Sequence, residues 1–234
     1  MAAIYLIRHG QASFGHTNYD QLSELGKLQA TRLGQVLSTR LPQFDAVCLG
    51  TLKRHQQTAE NCITEFGHNL ADLQPRFDSG WNEYDHQNIL ARYRPEFVTA
   101  ESMMEFIGAQ ENPQETLAEG FNGAIDRWIQ AEDDTGYVES WGEFTARVHR
   151  ALADTISEHS EAKNIAVFTS GGPISIVAQH LLGVGQDQIM RMNWTLMNCG
   201  VTKLVSTKSR LFVSSLNEHT HFEGQQNNHF ITYT

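Results

Sequence analysis

Residues 3–7, Ala-Ile-Tyr-Leu-Ile, form an unbroken apolar run of β-favouring side chains that stops at Arg8-His9-Gly10. A strand apolar on both faces belongs in a parallel sheet under helices, because a face open to water would impose alternation. The pattern recurs. FDAVCLG (44–50) reads as a second strand leading into a helix over 52–66, and NIAVFTS (164–170) as a third leading directly into a helix that begins GGPISIV. After the first strand, Leu22, Leu25, Leu33, Leu37 and Leu41 share one broad helical face, which Pro42 closes. VTKLVST and RLFVSSLN, parted only by Lys208-Ser209, read as a hairpin. Strands alternating with helices predict an α/β fold, a mostly parallel sheet flanked by helices on both faces.

The middle of the chain departs from this alternation. Residues 86–139 carry no convincing strand, and they read as a helical insertion lying over the C-terminal ends of the strands of a single domain, 1–234. Asn112 is expected to cap a helix, with Pro113 at its first position and Glu115 completing a capping box. Phe121, Ile125, Trp128 and Ile129 fall on one face of that helix, and the acidic run 132–134 marks its solvated end. Ser140 and Glu143 form a second capping box, with Phe144, Val148 and Leu152 continuing its helix.

Composition narrows the function classes. A net charge of −10 over 234 residues is the wrong balance for a nucleic-acid binder, though a local basic pocket stays open. Cys48, Cys62 and Cys199 are scattered and odd in number, which fits a reducing compartment rather than a disulfide framework. The N-terminal run is too short for a signal peptide, and no stretch approaches the ~18 apolar residues of a membrane span. The expectation is a cytoplasmic enzyme or binding protein without nucleic-acid or membrane partners; oligomeric state is not legible.

In open parallel sheets the carboxyl ends of the strands form the ligand crevice. Arg8-His9-Gly10, Thr51-Leu52-Lys53-Arg54 and Thr169-Ser170-Gly171-Gly172 all follow such ends. Arginine offers planar bidentate donors to phosphate, and a glycine-rich helix start offers backbone N–H groups at the positive end of a dipole. Together they form a patch suited to an anion, most simply a phosphoryl group.

LIRHGQAS resembles the signature of the histidine phosphatase superfamily, which includes the cofactor-dependent phosphoglycerate mutases. The likeness continues through LSELGKLQATRLGQVL, LGTLKRHQQTAE, ESWGEFTARV and LNEHTHF, and so covers nearly the whole chain. It implies a phosphoglycerate mutase-like fold and a metal-independent phosphomonoesterase with no cofactor. His9 would be the nucleophile that becomes phosphohistidine, and Arg8 and Arg54 would clamp the phosphoryl oxygens. Glu83, two residues after Trp81, aligns with the general acid; Asp85 is its rival. The substrate would be a small-molecule or protein phosphomonoester.

Two departures matter. WNEYDHQN lacks the longer basic and aromatic motif that mutases carry around the acid, which favours a phosphatase unless cations such as Arg92 and Arg94 replace it. Ser170 stands where the family has a second histidine. A serine brings one hydrogen bond and no charge, and losing a preorganised donor of this kind commonly costs ~10²–10³ in rate. Ser170 and the amides of Gly171 and Gly172 are expected still to bind phosphate, with His16, His55 and His86 as residues that could fill the gap. Ser170→His is expected to raise a weak phosphatase, or to do little if another group has taken over. The alternatives are a mutase-type phosphotransferase and a non-catalytic phosphoester-binding module. A serine-hydrolase reading of Ser170 fails, because Phe168 occupies the position of the elbow glycine.

Blander roles are expected elsewhere. His221 is read as a structural hydrogen-bonder and His219 as its neighbour on an extended stretch; His149, His159 and His180 are read as helical surface or satisfied residues. Tyr93, Phe97 and Phe106 are read as filling a small core, and Tyr93-Arg94 as a surface pair.

Overall fold

The computed structural model describes residues 2–13, 20–131, 136–207, 210–224 and 226–233. They divide into two compact units, residues 1–83 with 147–234, and residues 84–146.

The first unit is built on a six-stranded sheet. Its strands are β1 (Ala2–Arg8), β2 (Ala46–Leu49), β3 (Arg76–Phe77), β4 (Asn164–Thr169), β5 (Val201–Ser206) and β6 (Leu211–Glu218), in the order β3-β2-β4-β1-β5-β6. β3, β2, β4 and β1 run parallel, and β5 and β6 add an antiparallel edge. The fold is thus the expected α/β class, with a mostly parallel sheet. β3 escaped the sequence reading because two residues make no periodic pattern. The hairpin joining β5 to β6 is present, while its tip at Lys208-Ser209 lies outside the described residues.

Helices α1 (Glu24–Arg40) and α2 (Lys53–Thr64) follow the first two strands. Leu33 and Leu37 of α1, with Ala59, Cys62 and Ile63 of α2, pack on Tyr5, Ile7, Val47, Leu49 and Phe168 of the sheet to form one buried core. Leu22 lies before α1, bridged to Ala12, and Leu41 caps its end. Gly10 and Gly26 let the β1–α1 connection press onto the start of α1: a Cβ on Gly10 would sit 2.4 Å from the Gly26 carbonyl oxygen.

The second unit holds α3 (His86–Tyr93), α4 (Ala100–Gly108), α5 (Pro113–Gln130) and the first turns of α6 (Trp141–Glu158), whose later turns belong to the first unit. No strand occurs among its described residues. Trp128 packs on Tyr84, Trp141 and Phe144 with ring centroids 5.1–5.7 Å away. The Ser140 capping box forms, Glu143 Oε2 accepting from Ser140 N at 2.8 Å and Ser140 Oγ from Glu143 N at 3.1 Å. The box expected at Asn112 does not: α5 starts at Pro113, but the Asn112 side chain makes no capping bond. The acidic run 132–134 lies outside the described residues. α7 (Gly171–Leu182) and α8 (Ile189–Thr195) complete the first unit's helices. No helix among the described residues is long and apolar enough to cross a membrane.

Register positions the site. Arg8 pairs with Thr169 and Leu49 with Phe168, so the parallel strands end level and release their next residues along one edge.

Candidate active site

His9, immediately after β1, is 4% exposed, and its Nδ1 lies 2.7 Å from the Gly10 carbonyl oxygen. A carbonyl only accepts, so Nδ1 carries the ring proton and Nε2 keeps its lone pair. The His9 backbone is fixed as well: its N–H donates to Thr169 O at 2.9 Å, and its carbonyl accepts from Asn198 Nδ2 at 3.1 Å. Burial holds the imidazole well below its usual pKa, and the charges of Arg54, Arg8 and His55 push the same way. The ring is neutral at physiological pH.

Arg54 lies in the first turn of α2, and its Nη1 donates to Asp20 Oδ1 at 3.1 Å. Lys53 N donates to the other Asp20 oxygen at 3.0 Å, so one carboxylate orients the arginine and caps the helix start. Thr58, one turn on, accepts from Gly10 N at 3.0 Å and donates to Arg54 O at 2.6 Å, tying the His9 loop to the arginine helix. Arg8 Nη1 donates to the carbonyl oxygens of Leu196 and, at 3.2 Å, of Tyr233.

Ser170 precedes α7 and is fully buried. Its hydroxyl does not cap that helix; Oγ lies 2.7 Å from His55 Nε2. The His55 ring is fully buried, and its centroid is 5.8 Å from that of His9. Burial, then the Arg54 charge, holds His55 well below its usual pKa, so it too is neutral. Gly171 adjoins Arg8: a Cβ there would lie 3.7 Å from Arg8 Nε.

Glu83 reaches the same helix start, its Oε2 accepting from Gly172 N at 3.1 Å. The Gly172 amide, expected to face phosphate, therefore binds the carboxylate. The turn that carries Glu83 is gripped by Arg147, whose Nη1 donates to Gly80 O at 3.1 Å and Asn82 O at 2.7 Å, and whose Nη2 donates to Glu83 O at 3.3 Å. Asn82 in turn accepts from Thr51 N at 2.7 Å. Asp85 is engaged elsewhere, capping α3 by accepting from Asn88 N at 3.0 Å.

Arg8, His9, Arg54, Glu83, Ser170 and Gly171 thus lie along one edge of the first unit. Asp20, Asn82 and Arg147 join them without having been assigned there from sequence, and of the three histidines considered for the gap at Ser170 it is His55 that lies beside it. A histidine on the buried face of α2, in line with Thr58, Ala59 and Cys62, was the available signal for His55. His16 lies outside the described residues, and His86 opens α3 in the second unit. There, Arg92 Nε donates to the Gly136 carbonyl, while Arg94 lies 5.7 Å from the centroids of the Tyr93 and Phe106 rings. Phe97 is buried, 6.0 Å from Phe106, as a core residue would be.

The remaining histidines divide. His221 Nε2 donates to Cys199 O at 3.1 Å and His219 Nδ1 to Asn217 O at 2.7 Å, so each ring serves a backbone carbonyl. His149 and His180 lie on helices with ring centroids 4.8 Å apart. His159, expected on a helix, instead follows the end of α6, with Nε2 3.4 Å from Cys48 Sγ. Among the described residues, no group of three or more His, Cys, Asp or Glu could hold a metal ion.

A buried neutral imidazole acted on by two arginine charges, at the strand ends of a parallel sheet and near a helix N-terminus, makes an α/β site suited to an anion such as a phosphoryl group. Comparison with known proteins agrees. Residues 4–89 and 86–219 match the histidine phosphatase superfamily (branch 1), and the chain belongs to that family. Broad-specificity phosphatase YOR283W of Saccharomyces cerevisiae is 26% identical over 193 residues, 76% of this chain and 69% of that protein. Two solved structures share the fold. Phosphoglycerate mutase from Bacillus anthracis has a TM-score of 0.65 at 19% identity, covering 94% of each chain. Alpha-ribazole phosphatase from Shigella flexneri has 0.63 at 21%, covering 92% of this chain and 96% of the other. By family the protein is a phosphatase.

Proposed function

We propose that the protein is a metal-independent phosphomonoester hydrolase that works through a phosphohistidine on His9. The observation that carries this reading is the Nδ1–H to Gly10 carbonyl bond, which leaves the Nε2 lone pair of a buried, neutral ring as the nucleophile. Nε2 attacks phosphorus, the P–O bond to the alcohol breaks, and Glu83 in its acid form protonates the departing oxygen. Glu83, now a carboxylate, takes a proton from water; that water attacks phosphorus, the P–N bond breaks, and phosphate leaves. Arg8 and Arg54 neutralise the equatorial oxygens through both steps. Glu83 is favoured over Asp85 by its place beside Gly172 at the head of α7.

The substrate class is a small-molecule or protein phosphomonoester, in keeping with the broad specificity in the yeast relative's name. A cytoplasmic setting goes with this reading, supported by three buried free cysteines. The test is metal-free hydrolysis of a generic aryl phosphate by wild type and His9→Ala, with acid-labile phosphate on the enzyme trapped by rapid quench. Turnover and trapped phosphate that both vanish in the variant are expected. Phosphate binding without turnover in wild type would overturn the reading in favour of a binding module.

A further inference from the structure

We propose that the segment 230–233 positions Arg8 and His9, with the Thr232 hydroxyl locking the two amides that hold the His9 loop and the Tyr233 carbonyl holding Arg8. The inference rests on the hydrolase reading above and deepens it, adding Thr232, Asn198 and Gln29 as positioning residues. The segment is tied to the sheet-bearing unit at four points. Phe230 O accepts from Gln29 Nε2 at 2.7 Å and Thr232 Oγ1 from the same nitrogen at 2.8 Å. Thr232 O accepts from Asn198 N at 3.0 Å, and Tyr233 O from Arg8 Nη1 at 3.2 Å. Arg8 Nη1 also donates to Leu196 O, so both its protons go to carbonyls and the guanidinium plane is set.

The bonds run in one direction. Gln11 N donates to Gln29 Oε1 at 2.8 Å, which orients that fully buried amide and turns Nε2 to Thr232. Nε2 can only donate, so the Thr232 hydroxyl accepts from it and gives its own proton to Asn198 Oδ1 at 2.8 Å. Asn198 is fully buried, and with Oδ1 accepting, Nδ2 is the end that meets the His9 carbonyl at 3.1 Å. One backbone N–H therefore sets the sense of both amides, and the message passes through the Thr232 hydroxyl.

The two amides grip successive peptides of the loop. Asn198 holds the carbonyl of the His9–Gly10 peptide, which also accepts from Cys199 N at 3.3 Å. Gln29 holds the N–H of the Gly10–Gln11 peptide, and the carbonyl of that same peptide is the acceptor that keeps the ring proton on His9 Nδ1. Removing the Thr232 hydroxyl takes the donor from Asn198 Oδ1 and one acceptor from Gln29 Nε2. Asn198 is then no longer held in one sense, and its turned form sets two acceptors, Oδ1 and the His9 carbonyl, against each other. The loop shifts, and the imidazole shifts with it.

The experiment compares Thr232→Ser, Thr232→Val and Thr232→Ala in the full chain, using a generic aryl phosphate. Thr232→Ser keeps the hydroxyl and is expected to stay within about threefold of wild type. Thr232→Val keeps the shape without the hydroxyl, and Thr232→Ala carries the comparison should the valine variant not fold. Both are expected to lower kcat about tenfold or more with little change in KM, since a misplacement of ~1 Å can cost about 10²-fold. The second readout is the His9 tautomer, followed by nitrogen NMR of histidine-labelled protein and assigned by the signal lost in His9→Ala. Wild type and Thr232→Ser are expected to show the Nδ1–H form alone, and the valine and alanine variants a mixture of both forms. A merely structural role would lower urea stability and leave kcat and tautomer as in wild type. Turnover and tautomer that both follow the hydroxyl uphold the proposal; either one failing to follow it, or a loss shared by Thr232→Ser, would overturn it. If wild type shows no His9-dependent turnover, the hydrolase reading fails by itself, and the tautomer alone decides.

Discussion

His221 makes stability depend on pH in a way that can be calculated. Its ring is buried against Phe222, and Nε2 donates to Cys199 O. Burial, aided by Arg40, His219 and Arg32, pushes its pKa down to about 4 despite the carbonyl bond. In the unfolded chain the value returns to about 6.5. As pH falls below about 6.5 the unfolded state takes up a proton that the native state refuses, so stability present at pH 7 is lost toward pH 4. Between pH 7 and pH 5 the linkage amounts to about 2 kcal/mol from this one residue. His221→Gln keeps an N–H donor near Cys199 O and does not titrate. His9 and His55 are lowered in the same direction but are common to both proteins, so they cancel in the difference. Urea unfolding at both pH values should therefore show wild type losing about 2 kcal/mol more than the variant. Losses equal to within about 0.5 kcal/mol would refute the reasoning, because they would mean the buried ring takes up its proton without cost.

Four further outcomes are expected. Glu83→Gln lowers kcat by about 10²-fold or more on an alkyl phosphate and less on an aryl phosphate, whose leaving group needs little protonation; Asp85→Ala costs about 1 kcal/mol of helix capping in urea unfolding and leaves aryl phosphate turnover within twofold. Gly50→Ala places a Cβ 2.2 Å from His55 Nδ1 and 2.6 Å from Asn82 Oδ1, so urea unfolding should show a loss of about 1–3 kcal/mol together with a fall in kcat. Arg147→Met removes the donors that hold Gly80, Asn82 and Glu83, and a leaving-group series should show kcat falling most for poor leaving groups, as in Glu83→Gln.

The strands β1, β2 and β4 and the helix after Ser170 were legible because uninterrupted apolar runs have few alternatives to a covered parallel sheet. Once those strands are laid side by side, the grouping of Arg8, His9, Arg54 and Ser170 follows from register alone. What escaped depends on side-chain direction. Asp20 holds Arg54 and Asn82 holds Thr51 from loops, where no periodicity reports orientation. Arg147 reads as an ordinary polar helix residue until the turn beneath it is in place. A helix N-terminus is an anion site, which points the Gly172 amide to phosphate, yet it binds the nearer anion, Glu83. Ser170, where the family histidine is missing, is flanked by a histidine from another element, a contact that only the packing of α2 against β4 creates.

The Arg147 grip has one more consequence. Glu83 closes the first half of the sheet-bearing unit and Arg147 opens the second, and the two are joined by the bond from Arg147 Nη2 to Glu83 O. The chain therefore leaves this unit and re-enters it through a single stapled gate. Whatever sequence is threaded between those posts, the acid-bearing turn is held from its own side. The stretch 84–146 thus begins and ends at one hydrogen-bonded pair of the sheet-bearing unit.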